Sequence, residues 1–402
     1  MSADNTRVSR SIPSFRLSKY YFVYFASLGI FLPYWAIYLQ SLGFNIAEIG
    51  QLIAMIPATK IIAPILWGWI ADKTGKRVRV VRITSLLAIV LFTAIYQVRD
   101  YWSMVAVTLA FSFFWNASLP LFEAVTLAFL ENNPYRYSLI RLWGSIGFIL
   151  TVTVTGIALD YYPPLILPQF AFACLLLLWI ISLTLPEPEV TIRHTIKGQL
   201  GQILCQRSII ALLVVFMLIQ LSHGPYYALY SLFLEQKGYS GTETGLLWAT
   251  GVIAEIGLFL LMPYLLTRFT MRSIILISIL LSILRWMLIS QYANQPVVLY
   301  FAQGLHAASF GSAHVAAVHM IHQQFGVHFQ SIGQALYASI SFGLGGMLGS
   351  YYSGWFWQRF GPEYVFMGAS VVCMIALVIA WLWIDDNPVM GHVELLVVEE
   401  DL

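Results

Sequence analysis

Long apolar runs alternate with short polar punctuation along the whole chain. Twelve of these runs are long enough to cross a bilayer, which takes roughly 20 residues. They cover about 19–40, 48–71, 79–98, 102–131, 137–160, 164–185, 208–235, 243–267, 271–292, 296–323, 330–353 and 362–384. Backbone groups in lipid must be bonded within the segment, so each run is expected to be a helix. The short alternating segments of a membrane β-barrel are absent. The predicted fold is therefore an all-α membrane protein of twelve transmembrane helices.

One connection stands out by length, the polar stretch 186–207 after the sixth run. It divides the chain into an amino-terminal tail (1–18), a first six-helix bundle (19–185), a central loop (186–207), a second six-helix bundle (208–384) and an acidic tail (385–402). A repeat crosses this divide. Gly43, Glu48, Gly50, Leu52 and Ala54 recur 195 residues later as Gly238, Glu243, Gly245, Leu247 and Ala249. Upstream, Ser27, Gly29 and Leu39 recur as Ser222, Gly224 and Leu234. The repeated unit is thus a whole half, which predicts two pseudo-symmetric bundles. At one matched position the charge is reversed: Lys60 corresponds to Glu255. Each lies twelve residues beyond its matched glutamate, roughly 18 Å along a helix.

Composition agrees with the pattern. Hydrophobic residues make up 59% of the chain and charged residues only 10%, well below the proportion in soluble domains. A net charge of +2 gives no basic footprint for nucleic acid. Cys174, Cys205 and Cys373 are widely spaced and form no metal or redox pattern. No metal or cofactor is expected.

The basic residues orient the chain. One set of loops carries Arg7, Arg10, Arg16, Lys19, Lys73, Lys76, Arg77, Arg79, Arg82, Arg136, Arg193, Lys197, Arg207, Arg268 and Arg272; the opposite set carries only Arg99, Lys237 and Arg359. The positive-inside rule then places both termini in the cytoplasm of a cell with this chain in its inner or plasma membrane. The remaining three basic residues, Lys60, Arg141 and Arg285, fall inside helices.

The loop after the second helix reads GWIADKTGKRVR. It resembles the signature loop of the major facilitator superfamily, with Gly68, Asp72, Lys73, Gly75, Lys76 and Arg77 filling its positions. The resemblance implies a gating role, in which Gly68 permits close helix approach and the Asp72 carboxylate helps latch the halves. The segment NASLPLFEAVTLAFLENNPYRYSLIRLWGSIGF is similar to the fourth and fifth helices of the lactose-permease-like proton symporters. The first helix and the RLWGS segment most resemble the phenylpropionic acid transporter branch of that group.

Ionisable residues inside a span are costly and generally face a cavity or a partner. Glu123 and Arg141 stand at similar depth on either side of an Asn-Pro turn, where a guanidinium can hold a carboxylate with two parallel bonds. They match the family's substrate-binding pair, although a purely structural ion pair is the alternative. Lys60, Ser145 of the RLWGS segment and Phe148 complete the substrate-binding candidates. In the second half, Glu255, Arg285 and His306 reach a common level and resemble the family's proton-handling cluster. Ser309 stands where that family has its main proton-carrying glutamate, so the candidate carrier becomes Glu255, with a static Glu255–Arg285 pair as the alternative. His223, His314, His319 and His322 are weaker relay candidates than hydrogen-bonding ones. Gly345 and Gly349 have the small-xxx-small spacing of tightly crossing helices.

The expected function is proton-coupled symport by alternating access, driven by the proton gradient, with a small molecule, protons and the bilayer as partners and a monomeric chain. Lys60, Arg141 and Arg285 against Glu123 and Glu255 leave one positive charge, which favours a small organic anion, in line with the phenylpropionate resemblance. A neutral sugar or nucleoside is the second reading. The chain has no Walker loop for ATP and no nucleophile–base constellation for an enzyme. A channel fits the two-half repeat poorly, and a non-transporting receptor would be distinguished by binding without uptake.

Overall fold

The computed structural model describes residues 12–130, 134–188 and 200–385. Residues 1–11 and 386–402 of the predicted tails and 189–199 of the predicted central loop lie outside the described residues. The first bundle consists of α1 (Ser14–Ser41), α2 (Ile46–Thr74), α3 (Arg77–Tyr96), α4 (Tyr101–Leu130), α5 (Pro134–Tyr161) and α6 (Pro164–Leu183). The second consists of α7 (Arg207–Gln236), α8 (Gly241–Arg268), α9 (Met271–Tyr292), α10 (296–325), α11 (327–360) and α12 (Pro362–Trp383). Each bundle carries large apolar side chains on its outer surface, such as Leu150 of the first and Leu260 of the second, as a helix facing lipid requires.

Two departures from the hydrophobic pattern matter. The expected polar loop between the tenth and eleventh helices is a single residue: Gly326 takes φ 62° and turns one helix into the next. Only glycine adopts that conformation at little cost. The second span, expected to be continuous, is broken into Ile46–Thr59 and Ala63–Thr74. Lys60 N donates to Pro57 O at 3.0 Å, one residue short of the α-helical acceptor. The Ile56 carbonyl released by this shift is taken by Asn116 Nδ2 at 2.8 Å and Thr59 Oγ1 at 2.9 Å. A polar residue on α4 therefore supports a break inside the membrane, where an unbonded carbonyl is expensive.

α1 and α7 are the most buried spans. They meet each other across the two halves, flanked by the pairs α2–α11 and α5–α8. A shift of 195 residues converts α2–α11 into α8–α5, so the flanking pairs are related by the internal repeat. The repeated residues build these contacts. Gly43 and Gly238 both have positive φ, 92° and 85°, ending α1 and α7. Asn45 with Glu48, and Ser240 with Glu243, form capping boxes at the starts of α2 and α8. Gly50 then packs on Gly354 of α11, where an added Cβ would stand 2.7 Å from the Gly354 Cα. Gly245 packs on α5, where a Cβ would stand 2.8 Å from Val152 O. The matched glutamates are thus helix caps.

These close approaches lie at the helix ends away from the basic loops. The Ile46–Thr59 part of α2 packs on α11, whereas the Ala63–Thr74 part packs on α3 and α4 of its own half. The halves are closed together on one side and part company toward the other. Gly345 and Gly349 serve packing inside the second bundle, with Cβ positions that would fall 2.6 Å from Met217 O and 2.5 Å from Leu221 O of α7.

Candidate functional site

On the first bundle, α5 presents Arg141 toward α1. Its guanidinium carbon lies 3.8 Å from the centre of the Phe25 ring and 5.6 Å from that of Tyr21, a cation–π arrangement. Gly144, one turn on, makes the room: a Cβ there would sit 2.8 Å from both Arg141 Nη1 and Phe25. Glu123 on α4 lies beside Tyr137 and within the field of Arg141. The two-bond carboxylate–guanidinium pair expected between them is not formed, because Arg141 has turned onto the aromatic face of α1. Ser145 is half-buried one turn beyond Arg141. Phe148 is buried and faces Trp248 of α8 across the halves, with ring centres 6.4 Å apart.

On the second bundle the static Glu255–Arg285 pair, the alternative to a carrier role for Glu255, is not formed. Arg285 is fully buried and uses neutral acceptors. Its Nε donates to Ala302 O at 3.1 Å and its Nη2 to Gln303 Oε1 at 3.3 Å. Tyr226 covers it at 4.3 Å from the ring centre and Trp286 at 4.5 Å. Nη1 is buried without a hydrogen-bond partner. The cation whose field reaches Glu255 is instead Arg141 of the other half, which also acts on His314 of α10. Glu123, Glu255 and His314 thus share the electrostatic influence of Arg141.

His306 ends the first part of α10, and a π-helical stretch, Ala307–Gly311, follows it. Such bulges recur at functional sites because they re-aim side chains. The His306 ring lies parallel to Phe310, 5.3 Å between centres, and its Nδ1 is buried without a partner. The His223 ring is 6.1 Å away, at the interruption of α7 between Arg207–Ser222 and Gly224–Gln236. Its Nδ1 donates to Ile219 O at 2.8 Å, which leaves Nε2 the free acceptor. Ser309 is buried and donates to His306 O at 3.3 Å, so its hydroxyl is engaged with backbone. His314 meets the Tyr337 hydroxyl at 2.9 Å and His319 meets Gln323 at 2.9 Å.

Lys60 stands at the break in α2, partly exposed, and its ammonium has no hydrogen-bond or ion-pair partner among the described residues. The neighbouring Ile61 packs against the second π-helical stretch, Ala338–Gly345 of α11, where Ser339 Oγ donates to Ile61 O at 3.4 Å. Near the end of α2, Asp72 pairs with Arg77 at the start of α3, 2.8 Å away. Among the described residues Asp72 therefore makes no ion pair across the halves. Among the described residues a Cβ on Gly68 would meet nothing within 4 Å. Gly75 has φ 66° and closes α2 in the left-handed conformation. Lys73 extends over the Trp69 ring at 5.0 Å.

The two halves are related by the internal repeat and meet at one end through α2–α11 and α5–α8. The MFS_1-like family model matches residues 14–368. The chain belongs to this family. MFS_1-like proteins are major facilitator transporters, not enzymes, and the twelve-helix fold agrees. The chain is 26% identical over 360 residues to the probable 3-phenylpropionic acid transporter of Escherichia coli K12, spanning 89% of this chain and 94% of that one. It is also 26% identical over 372 residues to the maltose permease of Geobacillus stearothermophilus, spanning 90% and 92%. A crystal structure of a mutant of the nucleoside transporter NupG superposes with a TM-score of 0.81 at 19% identity, covering 92% of this chain and all of that one. Among MFS_1-like relatives the named cargoes thus include an aromatic acid, a sugar and nucleosides.

Sequence reasoning missed Gln303, Tyr230, Asn116 and Gly144. Gln303 and Asn116 are amides inside apolar helices, a signal that was present in the sequence. Gly144 carries no such signal, because its role appears only when α1 is laid against α5.

Proposed function

We propose that the chain is a proton-coupled symporter of a small organic anion, with an aromatic carboxylate of the phenylpropionate kind as its cargo. The observation that carries this reading is the state of Arg285. It is a wholly buried cation with neutral hydrogen-bond acceptors, an aromatic ring over its face and one unbonded guanidinium nitrogen. A buried charge without a counter-ion is costly, and a carboxylate ligand removes that cost. Arg141, against Phe25, offers a second cation at the facing surface. Tyr226 and Trp248, with ring centres 4.2 Å apart, supply an aromatic wall between them. The substrate roles of Glu123, Arg141, Lys60, Ser145 and Phe148 belong to this proposal.

Proton coupling is assigned to Glu255, with His306 and Arg285 as its associates. Glu255 shares Arg141 with the substrate space rather than pairing with Arg285, so a bound anion and a deprotonated Glu255 compete for one cation. Protonation of Glu255 then favours anion binding, which is the coupling a symporter needs. On this reading the basic loops are cytoplasmic and the open end faces inward, and rocking of the halves about α2–α11 and α5–α8 exposes the site to the other side.

The test is uptake into proteoliposomes under an imposed inward proton gradient, comparing 3-phenylpropionate, short carboxylates, maltose and uridine. Accumulation of a carboxylate that collapses with a protonophore supports the reading. Uptake confined to maltose or uridine overturns the anion assignment.

A further inference from the structure

Gln303 of α10 is fully buried and has every polar atom engaged. Its Oε1 accepts from the Tyr226 hydroxyl at 2.9 Å and from Arg285 Nη2 at 3.3 Å. Its Nε2 donates to the Tyr230 hydroxyl at 2.7 Å. The guanidinium fixes the orientation of the amide. Turned over, the amide would present its NH2 to Arg285, donor against donor. Tyr226, Tyr230 and Arg285 come from α7 and α9, so one side chain on α10 ties three helices together. The backbone next to it acts on the same cation, through Ala302 O and Arg285 Nε.

The chemistry of this position is selective. A glutamate has nearly the same shape and could accept from Arg285, Tyr226 and Tyr230. It would also cancel the charge of Arg285. The amide holds the guanidinium in place without neutralising it, leaves Nη1 unbonded, and positions the Tyr226 ring over the cation. No carboxylate among the described residues lies within ion-pair distance of Arg285.

We propose that Gln303 is a specificity-determining residue: its neutrality reserves the charge of Arg285 for the cargo and makes the site select an anion over an uncharged molecule of the same shape. This rests on the anion reading above and adds the residue that enforces it. Gln303 is a positioning residue in this scheme, acting through Arg285 and Tyr226.

The experiment measures equilibrium binding of 3-phenylpropionate and of its neutral analogue 3-phenylpropanamide to the purified full-length protein in detergent. Wild type is expected to prefer the acid. Gln303→Glu should weaken the acid at least tenfold while leaving the amide within threefold, so that the preference inverts. Gln303→Met, which is neutral and similar in length, should retain the acid preference even where both affinities fall, and it keeps the test open if Gln303→Glu does not fold. Gln303→Glu protein that binds the acid as wild type does overturns the inference alone. So does Gln303→Met protein that loses the preference, because charge would then not be the property that matters. Wild-type protein that prefers the amide, or binds neither compound, overturns the anion reading and this inference with it.

Discussion

Asp160 at the end of α5 caps the first turn of α8 in the opposite half. Its Oδ1 accepts from Gly241 N at 2.6 Å and its Oδ2 from Thr242 N at 3.1 Å, with the Thr242 hydroxyl as a third donor. A carboxylate at a helix N-terminus meets both unbonded N–H groups and the positive end of the helix dipole. Here the helix and its cap belong to different bundles, so the bond exists only while that end is closed. Asp160→Ala removes about 1 kcal/mol of closure. Spin labels at Tyr162→Cys and Asn294→Cys, in a background lacking the native cysteines, should show a larger fraction of long distances in the Asp160→Ala protein. An unchanged distribution would mean that Asp160 stabilises α8 alone.

Gly50 and Gly354 bring the backbones of α2 and α11 together at the same closed end. A side chain at 50 meets backbone that cannot move aside. Gly50→Leu should cost about 1–3 kcal/mol of the closed form and slow uptake at least tenfold, with the same labels reporting opening. Normal uptake by Gly50→Leu would show that α2 and α11 separate without penalty.

Glu255 and Arg141 should divide coupling from binding. Glu255→Gln is expected to lose proton-driven accumulation of 3-phenylpropionate while retaining exchange of internal for external substrate. Accumulation at the wild-type level would remove Glu255 as the proton carrier.

The Arg141 guanidinium stands over the Phe25 ring, a contact that Lys, lacking the planar cation, does not reproduce. Arg141→Lys should weaken 3-phenylpropionate binding at least tenfold while the melting temperature stays within a few degrees. Intact affinity would assign Arg141 to packing.

Asn116 should matter for folding more than for binding. Asn116→Leu leaves the Ile56 carbonyl with Thr59 alone and is expected to cost about 1–3 kcal/mol. A lower thermal midpoint in detergent, with 3-phenylpropionate affinity retained in the folded fraction, is the expected result. An unchanged midpoint would show that the break in α2 needs no support from α4.

The sequence by itself determined the twelve spans, the division into halves and the repeat between them. Each follows from a one-dimensional requirement: about 20 apolar residues to cross lipid, and a matched series of glycines and caps at a fixed offset. It also placed Glu123 and Arg141 at one depth, and Lys60, Glu255, Arg285 and His306 at another nearer the midplane, because rise per residue converts position into depth. Depth does not fix rotation about the helix axis, nor which partner a long side chain chooses. Glu123 and Arg141 share a level, yet Arg141 turns onto Phe25 because Gly144 clears the way. Glu255 and Arg285 share a level, yet Arg285 is held by Gln303 and Ala302 while Glu255 feels Arg141 from the other half. The break at Lys60 and the π-helical stretches after His306 and Tyr337 were equally hidden, since a shifted hydrogen bond leaves hydrophobicity unchanged. Only the packing of one helix against another decided which of the charges at a common depth became neighbours.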